Sequence, residues 1–261
     1  MNILVIPDGH AHPDFDNNRF TALGKYIHKT RPDVVVCIGD LADMPSLSSY
    51  DKGTKGFEGR RYKRDIESVI DAQEKLFEVI NKYNKRQIKH KGKQYKPRLV
   101  MCVGNHEDRI NRVVNHSSEL DGTIGLFDLK YEEFGWEVIP FHTSIEIAGI
   151  NFSHYFSSGI SGRPISGEHI GASLCNKLHA SAVQGHSHLF NHAERTRPDG
   201  MKIFGLSVGC FSHPEQIEGW NKNTQHLWWM GIVELLDCDG EGYYDQLKAT
   251  TTRKLERDYG A

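Results

Sequence analysis

The chain has 261 residues, of which 38% are hydrophobic and 25% charged, a balance that excludes intrinsic disorder and favours a folded protein with a sizeable core. Its 32 lysines and arginines are balanced by 34 aspartates and glutamates, and this near-neutral net charge excludes a globally basic nucleic-acid binder. No apolar run reaches the roughly 18 residues of a membrane span, and the five cysteines form no CxxC pair. With an N-terminus unlike a secretory signal, these features predict a protein of the reducing cytoplasm.

The first hundred residues alternate strands with helices. Short apolar runs predict buried strands at Asn2–Pro7, Asp33–Ile38 and Leu99–Val103. Apolar residues at helical spacing predict helices over Asn17–Thr30 and Asp65–Lys82. Such alternation indicates parallel strands joined by right-handed crossovers.

After Gly135 the pattern changes to short strands joined by tight turns, with one helix near Ile170–Leu178. Strands are predicted at Trp136–Pro140, Ser144–Ile147, Ile150–His154, Ser181–Gly185, Lys202–Ser207 and Met230–Leu235. The predicted fold class is therefore α/β, with two mixed sheets packed on each other and helices outside. We expect one domain over residues 1–249 and a polar C-terminal tail over 250–261 that frays.

Two basic segments interrupt this pattern. Lys52–Arg64 contains six lysines and arginines with three glycines, and Lys85–Arg98 contains seven basic residues and no acidic one. The ordinary interpretation of both is a solvated loop. Because Lys52–Arg64 follows a strand end that carries candidate site residues, it is also a candidate lid that recognises phosphate. Nucleic acid is then a candidate partner through these segments.

Polar side chains follow five of the predicted strands. The segments are Asp8-Gly9-His10, Gly39-Asp40-Leu41-Ala42-Asp43, Gly104-Asn105-His106-Glu107, His154 and Gly185-His186-Ser187-His188. Sites in open α/β sheets form beyond the carboxyl ends of strands, so we expect these segments to meet in one crevice. Their carboxylate, imidazole and amide groups suit a divalent ion such as Mn²⁺, Fe²⁺ or Zn²⁺. The glycines before Asp40, Asn105 and His186 are expected to permit sharp turns.

Each segment alone could be a turn or a helix cap, but all five in this order would require five coincidences. The series DxH, GDxxD, GNHE, a lone histidine and GHxH resembles the calcineurin-like metallophosphoesterase superfamily, and the segment after GDxxD is similar to bacteriophage-encoded members. The resemblance implies a four-layer α/β/β/α sandwich. It also implies a phosphoester hydrolase that uses a hydroxide bridging two divalent ions. Manganese is expected ahead of iron, zinc or nickel, and a phage-encoded protein would act in the host cytoplasm.

The resemblance also implies a role for each matched position. Asp8, His10 and His188 would hold one metal ion, and Asn105, His154 and His186 the other, with Asp40 bridging both. His106 matches the catalytic histidine of the family, and Asp43 matches the acid that orients it. His142 is an alternative to His154, although it follows a proline turn rather than a strand end.

The substrate is less well defined. Protein serine/threonine phosphatases of this superfamily have a phosphate-binding arginine where this chain has Met44. The candidate replacements are Arg109, Arg60, Arg61 and Arg163. A solvated arginine is the equally weighted alternative for Arg109 and the favoured interpretation of the other three. Met44 and the basic segments favour phosphodiesters, nucleotides or nucleic acid. The alternatives are a serine/threonine-type phosphomonoesterase and a metal-binding scaffold without turnover, against which the intact Asp43 and His106 argue.

Overall fold

Two β-sheets form the centre of the computed structural model, which describes residues 1–216 and 223–260. The first sheet contains β1 (Ile3–Ile6), β2 (Val34–Cys37), β3 (Arg98–Cys102), β4 (Glu137–Ile139), β10 (Gly231–Leu236) and β11 (Gln246–Thr251). The second contains β5 (Ile145–Ile147), β6 (Ile150–Ser153), β7 (Ala182–Gln184), β8 (Phe190–Thr196) and β9 (Lys202–Val208).

Both sheets are mixed. The strand order of the first is β11-β10-β1-β2-β3-β4, in which β1 to β4 run parallel and β10 and β11 pair antiparallel. The order of the second is β5-β6-β7-β9-β8, with a parallel centre and antiparallel edge strands. The carboxyl ends of β1, β2, β3, β6 and β7 are the positions from which the polar motifs leave.

Helices cover the outer faces of the sheets. They are α1 (Asn18–Thr30), α2 (Tyr62–Lys89), α3 (Asp108–His116), α4 (Ile170–Leu178) and α5 (Thr252–Tyr259). α1 packs against α2 and α5, and α4 packs against β8 and β9. None of the helices within the described residues is both long enough and apolar enough to cross a membrane.

The layer order follows from the alternation of side chains along β1. Ile3 and Val5 belong to the apolar cluster that includes Phe152 of the second sheet, whereas Leu4 belongs to the cluster that includes Phe20 of α1. Successive side chains of a strand point to opposite faces, so one face of β1 packs on the second sheet and the other on the helices. The predicted four-layer α/β/β/α sandwich of two mixed sheets is confirmed.

Two expectations about the chain segments need correction. α2 extends from Tyr62 to Lys89, so the start of the basic segment Lys85–Arg98 is helix rather than loop. Lysine, arginine and glutamine favour helices. However, the last turns of this helix are solvated and lack the regularly spaced apolar residues by which a helix is predicted from sequence. The segment 250–261, expected to be a fraying tail, contains the end of β11 and α5, where Leu255 is buried in the core.

Candidate metal centre

The five motif segments meet between the carboxyl ends of the two sheets. The ligand atoms of Asp8, His10 and His188 lie within 4.8 Å of one another, and those of Asp40, His154 and His186 form a second such group. Asp40 also belongs to a third group with His10 and His106, so it lies between the other two. These residues were expected to meet in one crevice, and the structure brings them together there.

In the first group, the nitrogen and oxygen atoms that could bind a metal ion lie close to one another. His10 Nδ1 donates a hydrogen bond to Asp43 Oδ1 at 2.9 Å, which leaves a lone pair on Nε2 of the neutral ring. That nitrogen lies 3.0 Å from His188 Nε2, which is itself 3.2 Å from Asp8 Oδ2. Asp8 Oδ1 and His188 Nδ1 are buried and have no hydrogen-bond partner among the described residues. Such an arrangement of nitrogen and carboxylate oxygen atoms is favourable with positive charge between them.

The second group repeats this arrangement. His154 Nδ1 donates to the carbonyl oxygen of Ile38 at 3.0 Å, so a neutral ring presents its Nε2 lone pair to the site. That nitrogen lies 3.0 Å from Asn105 Oδ1 and 3.3 Å from Asp40 Oδ2. Three acceptors therefore face one another. Imidazole, carboxylate and amide oxygen form a donor set that fits a borderline divalent ion, so the residues present fit the two-metal assignment.

The pKa values of Asp43, His10 and His154 show that these three groups favour positive charge at the site. Burial raises the pKa of Asp43, but hydrogen bonds from His10 and His106 outweigh burial and hold it well below its usual range. Burial likewise opposes protonation of His10, yet the hydrogen bond to Asp43 and the nearby carboxylates raise its pKa to about 9. The pKa of His154 is also raised to about 9, against burial, by the charge of Asp40. Metal ions would compete with protons for these nitrogens.

His106 lies beside the candidate metal ligands and contacts two other candidate residues. Its Nδ1 is 2.9 Å from Asp43 Oδ1 and 2.8 Å from the Asp43 carbonyl oxygen. Its Nε2 lies 3.1 Å from Arg109 Nη2, and Arg109 Nη1 donates to the Asp43 carbonyl oxygen at 2.9 Å. Burial lowers the pKa of His106, and the charge of Arg109 adds to this effect. The guanidinium of Arg109 therefore lies beside His106, and its substrate-binding role stays a prediction.

The other candidate arginines are bonded within their own loop or exposed. Arg60 donates to Asp51 Oδ2 at 2.7 Å and to the Pro45 carbonyl oxygen at 3.0 Å, so its guanidinium is held within its own loop. Arg61 and Arg163 are exposed, and Arg61 donates to the adjacent Arg60 carbonyl oxygen. The proposed substrate-binding role of these three arginines remains a prediction.

His142 was the alternative to His154. Its ring lies against Phe141 at 3.9 Å and near Tyr155 at 5.4 Å, and it belongs to none of the ligand-distance groups formed by the described residues. The geometry favours His154.

Sequence reasoning gave no role to Glu107. This buried carboxylate accepts hydrogen bonds from the backbone N–H groups of Asp40, Ala42 and Gly104, each at 3.0 Å, and from the Tyr131 hydroxyl at 2.9 Å. It therefore joins the loop after β2 to the loop after β3. The presence of Glu107 in the GNHE motif was the one sequence signal for this role. The residues that it joins are distant from it in sequence.

The glycines of the motifs also act differently from the expectation. Of the three, Gly39 alone has left-handed backbone, with φ of 107°. A Cβ atom at Gly104 would lie 2.1 Å from Asp40 Oδ1, and one at Gly185 would lie 2.2 Å from Asp8 Oδ1. These two glycines make room for carboxylates. The left-handed residues at the turns include candidate ligands themselves: His10, Asp40, His186 and His188, with φ of 43°, 49°, 66° and 58°. Such strain concentrates at functional sites.

A two-sheet α/β sandwich with a buried His/Asp cluster at its strand ends fits a metal-dependent phosphoesterase. Residues 1–260 match the family of calcineurin-like phosphoesterases, and the chain belongs to that family. It is 32% identical over 143 residues to the Gene 54 protein of Mycobacterium phage L5. The aligned region covers 53% of this chain and 50% of that protein. The chain thus matches about half the length of this curated relative.

One solved structure similar to the chain is a conserved uncharacterized protein, a predicted phosphoesterase, from Streptococcus pneumoniae TIGR4. The two are 13% identical, with a TM-score of 0.33, over 95% of this chain and 96% of that one.

Proposed function

We propose that the protein is a dinuclear metal-dependent phosphoester hydrolase that favours phosphodiesters. The observation that carries the proposal is the pair of buried ligand groups with Asp40 between them. Asp8, His10 and His188 would hold one divalent ion and Asn105, His154 and His186 the other, with Asp40 shared. When bound, the two ions would generate a hydroxide nucleophile from water at neutral pH and neutralise phosphoryl oxygens.

The residues around the ligands would supply the proton to the leaving group and position the substrate. His106, with Nδ1 bonded to Asp43, would present Nε2 to the leaving oxygen and donate a proton or a hydrogen bond to it. Asp43 fixes the ring orientation and favours its protonated form. Arg109 donates to the lone pair of His106 Nε2 in this structure. With substrate bound, it would turn to a phosphoryl oxygen and leave that nitrogen free to carry the proton. A pure scaffold would have no use for this arrangement.

The preference for diesters rests on the surroundings of Met44. This residue is fully buried in the core beneath the helices, so its side chain offers nothing to a phosphate. The cation at the site is instead Arg109 of α3. Arg109 lines a cleft beside the candidate ligands and also lines the neighbouring cleft further from them. A continuing cleft has space for a second ester substituent.

The test compares two aryl substrates. Apoprotein prepared with a chelator should not hydrolyse bis(p-nitrophenyl) phosphate or p-nitrophenyl phosphate. Mn²⁺ should restore activity better than Mg²⁺, because imidazole ligands suit the softer ion, and kcat/KM should be higher for the diester. Full activity in excess chelator would overturn the proposal, and a preference for the monoester would favour the phosphomonoesterase alternative.

A further inference from the structure

We infer that the cleft beside the metal centre is a nucleotide subsite, which holds the backbone of a single-stranded polynucleotide on α3 and stacks a base on an aromatic wall. This inference rests on the proposed function and specifies its substrate. The cleft has a volume of about 330 Å³, and Asn105 and His186 form part of its lining. A group bound there is therefore next to the ester that the metal centre would hydrolyse.

One wall of the cleft is cationic and belongs to α3. Arg109 and Arg112 are three residues apart and so share a helix face. Arg112 Nη2 donates to the carbonyl oxygen of Asn105 at 3.0 Å, which holds the guanidinium beside a proposed ligand while half of the side chain stays exposed. Asp108 also lines the cleft, with its carboxylate 3.5 Å from Arg112 Nε. Two guanidinium groups against one carboxylate leave this wall positive.

The positive wall continues past the first cleft. A second cleft of about 510 Å³ shares Arg109 and Arg112 with the first and reaches Lys52 and His116. None of the described residues that line this second cleft is acidic. One phosphate would need a single cation, and Arg109 already provides it beside His106. Further cations along the same groove are useful to a substrate with successive phosphates.

The other wall is aromatic. The Tyr155 ring lies 4.9 Å from the His186 ring, 5.4 Å from His142 and 5.5 Å from Phe141. Tyr155 and Phe141 are half-buried, so each leaves part of its ring open to the cleft. Tyr50, which is 82% exposed, lies on the rim. Aromatic side chains beside a cationic groove are the usual means of binding unpaired bases, since every base has a face that can stack.

The experiment distinguishes the contribution of the bases to kcat/KM from that of the phosphates. Mn²⁺-loaded protein is assayed on oligothymidylate and on an oligomer of equal length made of abasic tetrahydrofuran units. Both substrates have the same phosphates, but only one has bases. The wild type should have a higher kcat/KM for oligothymidylate, and Tyr155→Leu should reduce that ratio about tenfold. Tyr155→Phe should preserve the ratio. Because Tyr155 follows a proposed ligand, Phe141→Leu repeats the test away from the ligand loop.

Changes on the cationic wall should act on both oligomers equally. Arg112→Gln should lower kcat/KM for both and leave their ratio unchanged. It should also flatten the dependence of log kcat/KM on log salt by about 0.7 for each phosphate that the variant no longer neutralises. Asp108→Asn, which removes the one carboxylate from this wall, should raise both values. Arg253→Gln, on the exposed surface of α5, is the control. Metal content is measured for every variant.

Two failures are distinguishable. Equal kcat/KM of the wild type on the two oligomers, with the aryl diester still hydrolysed, would overturn the nucleotide subsite and leave the proposed function standing. Absence of hydrolysis on every diester would overturn the proposed function itself.

Discussion

Gly185 shows what the metal centre requires of a single residue. A Cβ atom at this position would lie 2.2 Å from Asp8 Oδ1, closer than non-bonded atoms approach. Gly185→Ala should therefore displace the Asp8 carboxylate and weaken Mn²⁺ affinity by about 10–100-fold, the usual effect of disturbing the groups that support a metal ligand. Isothermal titration of apoprotein with Mn²⁺ measures this. Gly56→Ala, whose Cβ would have no neighbour closer than 4.0 Å, is the matched control, and equal affinities would contradict the prediction.

His106 and Asp40 should respond differently to substitution, although they lie in one ligand-distance group. His106→Ala should retain two metal ions per chain and lose roughly two to four orders of magnitude in kcat, the usual contribution of general acid–base catalysis. Asp40→Asn should lose metal, because it removes a charge from between the two groups. Metal analysis combined with diester hydrolysis measures both. A metal-free His106→Ala protein would make His106 a ligand and contradict its assigned role.

At the scale of elements, burial determines what the sequence reveals. Strands β1 and β2 are buried along their whole length, so they are continuous apolar runs, as expected of parallel strands covered on both faces. β8 and β11 are edge strands with mostly exposed or half-buried residues, and neither was predicted. α3 is absent from the predicted helix ranges for the same reason, since Ile110 is its one buried residue.

The candidate site was more predictable than these elements because its residues follow strands that the sequence reveals. The positions of Asp40 and Asn105 could be inferred from the strands before them and from the resemblance. The hydrogen bonds of Glu107 to Asp40 and Ala42, which span 67 and 65 residues, have no local signature. The cleft between α3 and Tyr155 likewise depends on the packing of one sheet against the other.

Asp65 joins α2 to the loop that follows Asp43, and it makes stability depend on pH. Its side chain is fully buried, its Oδ2 accepts the Ser46 N–H at 3.0 Å, and its Oδ1 has no hydrogen-bond partner among the described residues. Burial raises its pKa from 3.8 to about 6. A carboxyl whose pKa is raised by folding contributes stability below the unfolded value, and this is lost as pH rises through the folded value.

Asp65→Asn should therefore become more stable relative to the wild type as pH rises. Its difference in unfolding free energy from the wild type should grow by roughly 1–2 kcal/mol from pH 5 to pH 8, given about 1.4 kcal/mol per pKa unit. Urea unfolding at the two pH values measures this. Glu78→Gln, on the exposed face of the same helix, is the control. A difference that does not change with pH would show that Asp65 is not protonated on folding.

At the scale of the whole molecule, the candidate metal centre spans both sheets. Asp8, His10, Asp40 and Asn105 follow strands of the first sheet, whereas His154, His186 and His188 follow strands of the second. Each ligand group contains residues from both: Asp8 and His10 with His188, and Asp40 with His154 and His186. The sheets also share the apolar cluster around Val5 and Phe152. Metal binding would therefore add a further connection between them.

Mn²⁺ should consequently stabilise the whole molecule. At a free concentration of one hundred times Kd, a bound ion adds about 2.7 kcal/mol to the unfolding free energy, which for a chain of this size raises Tm by roughly 5–10 °C. Thermal unfolding with Mn²⁺ or with chelator measures the shift. Asp8→Asn and His188→Ala change opposite sheets, yet each should reduce the shift, because each removes a ligand from the same group. His90→Ala, at an exposed histidine outside the ligand groups, should retain it. A shift that only one of the two ligand variants reduces would mean that the ion is bound by a single sheet.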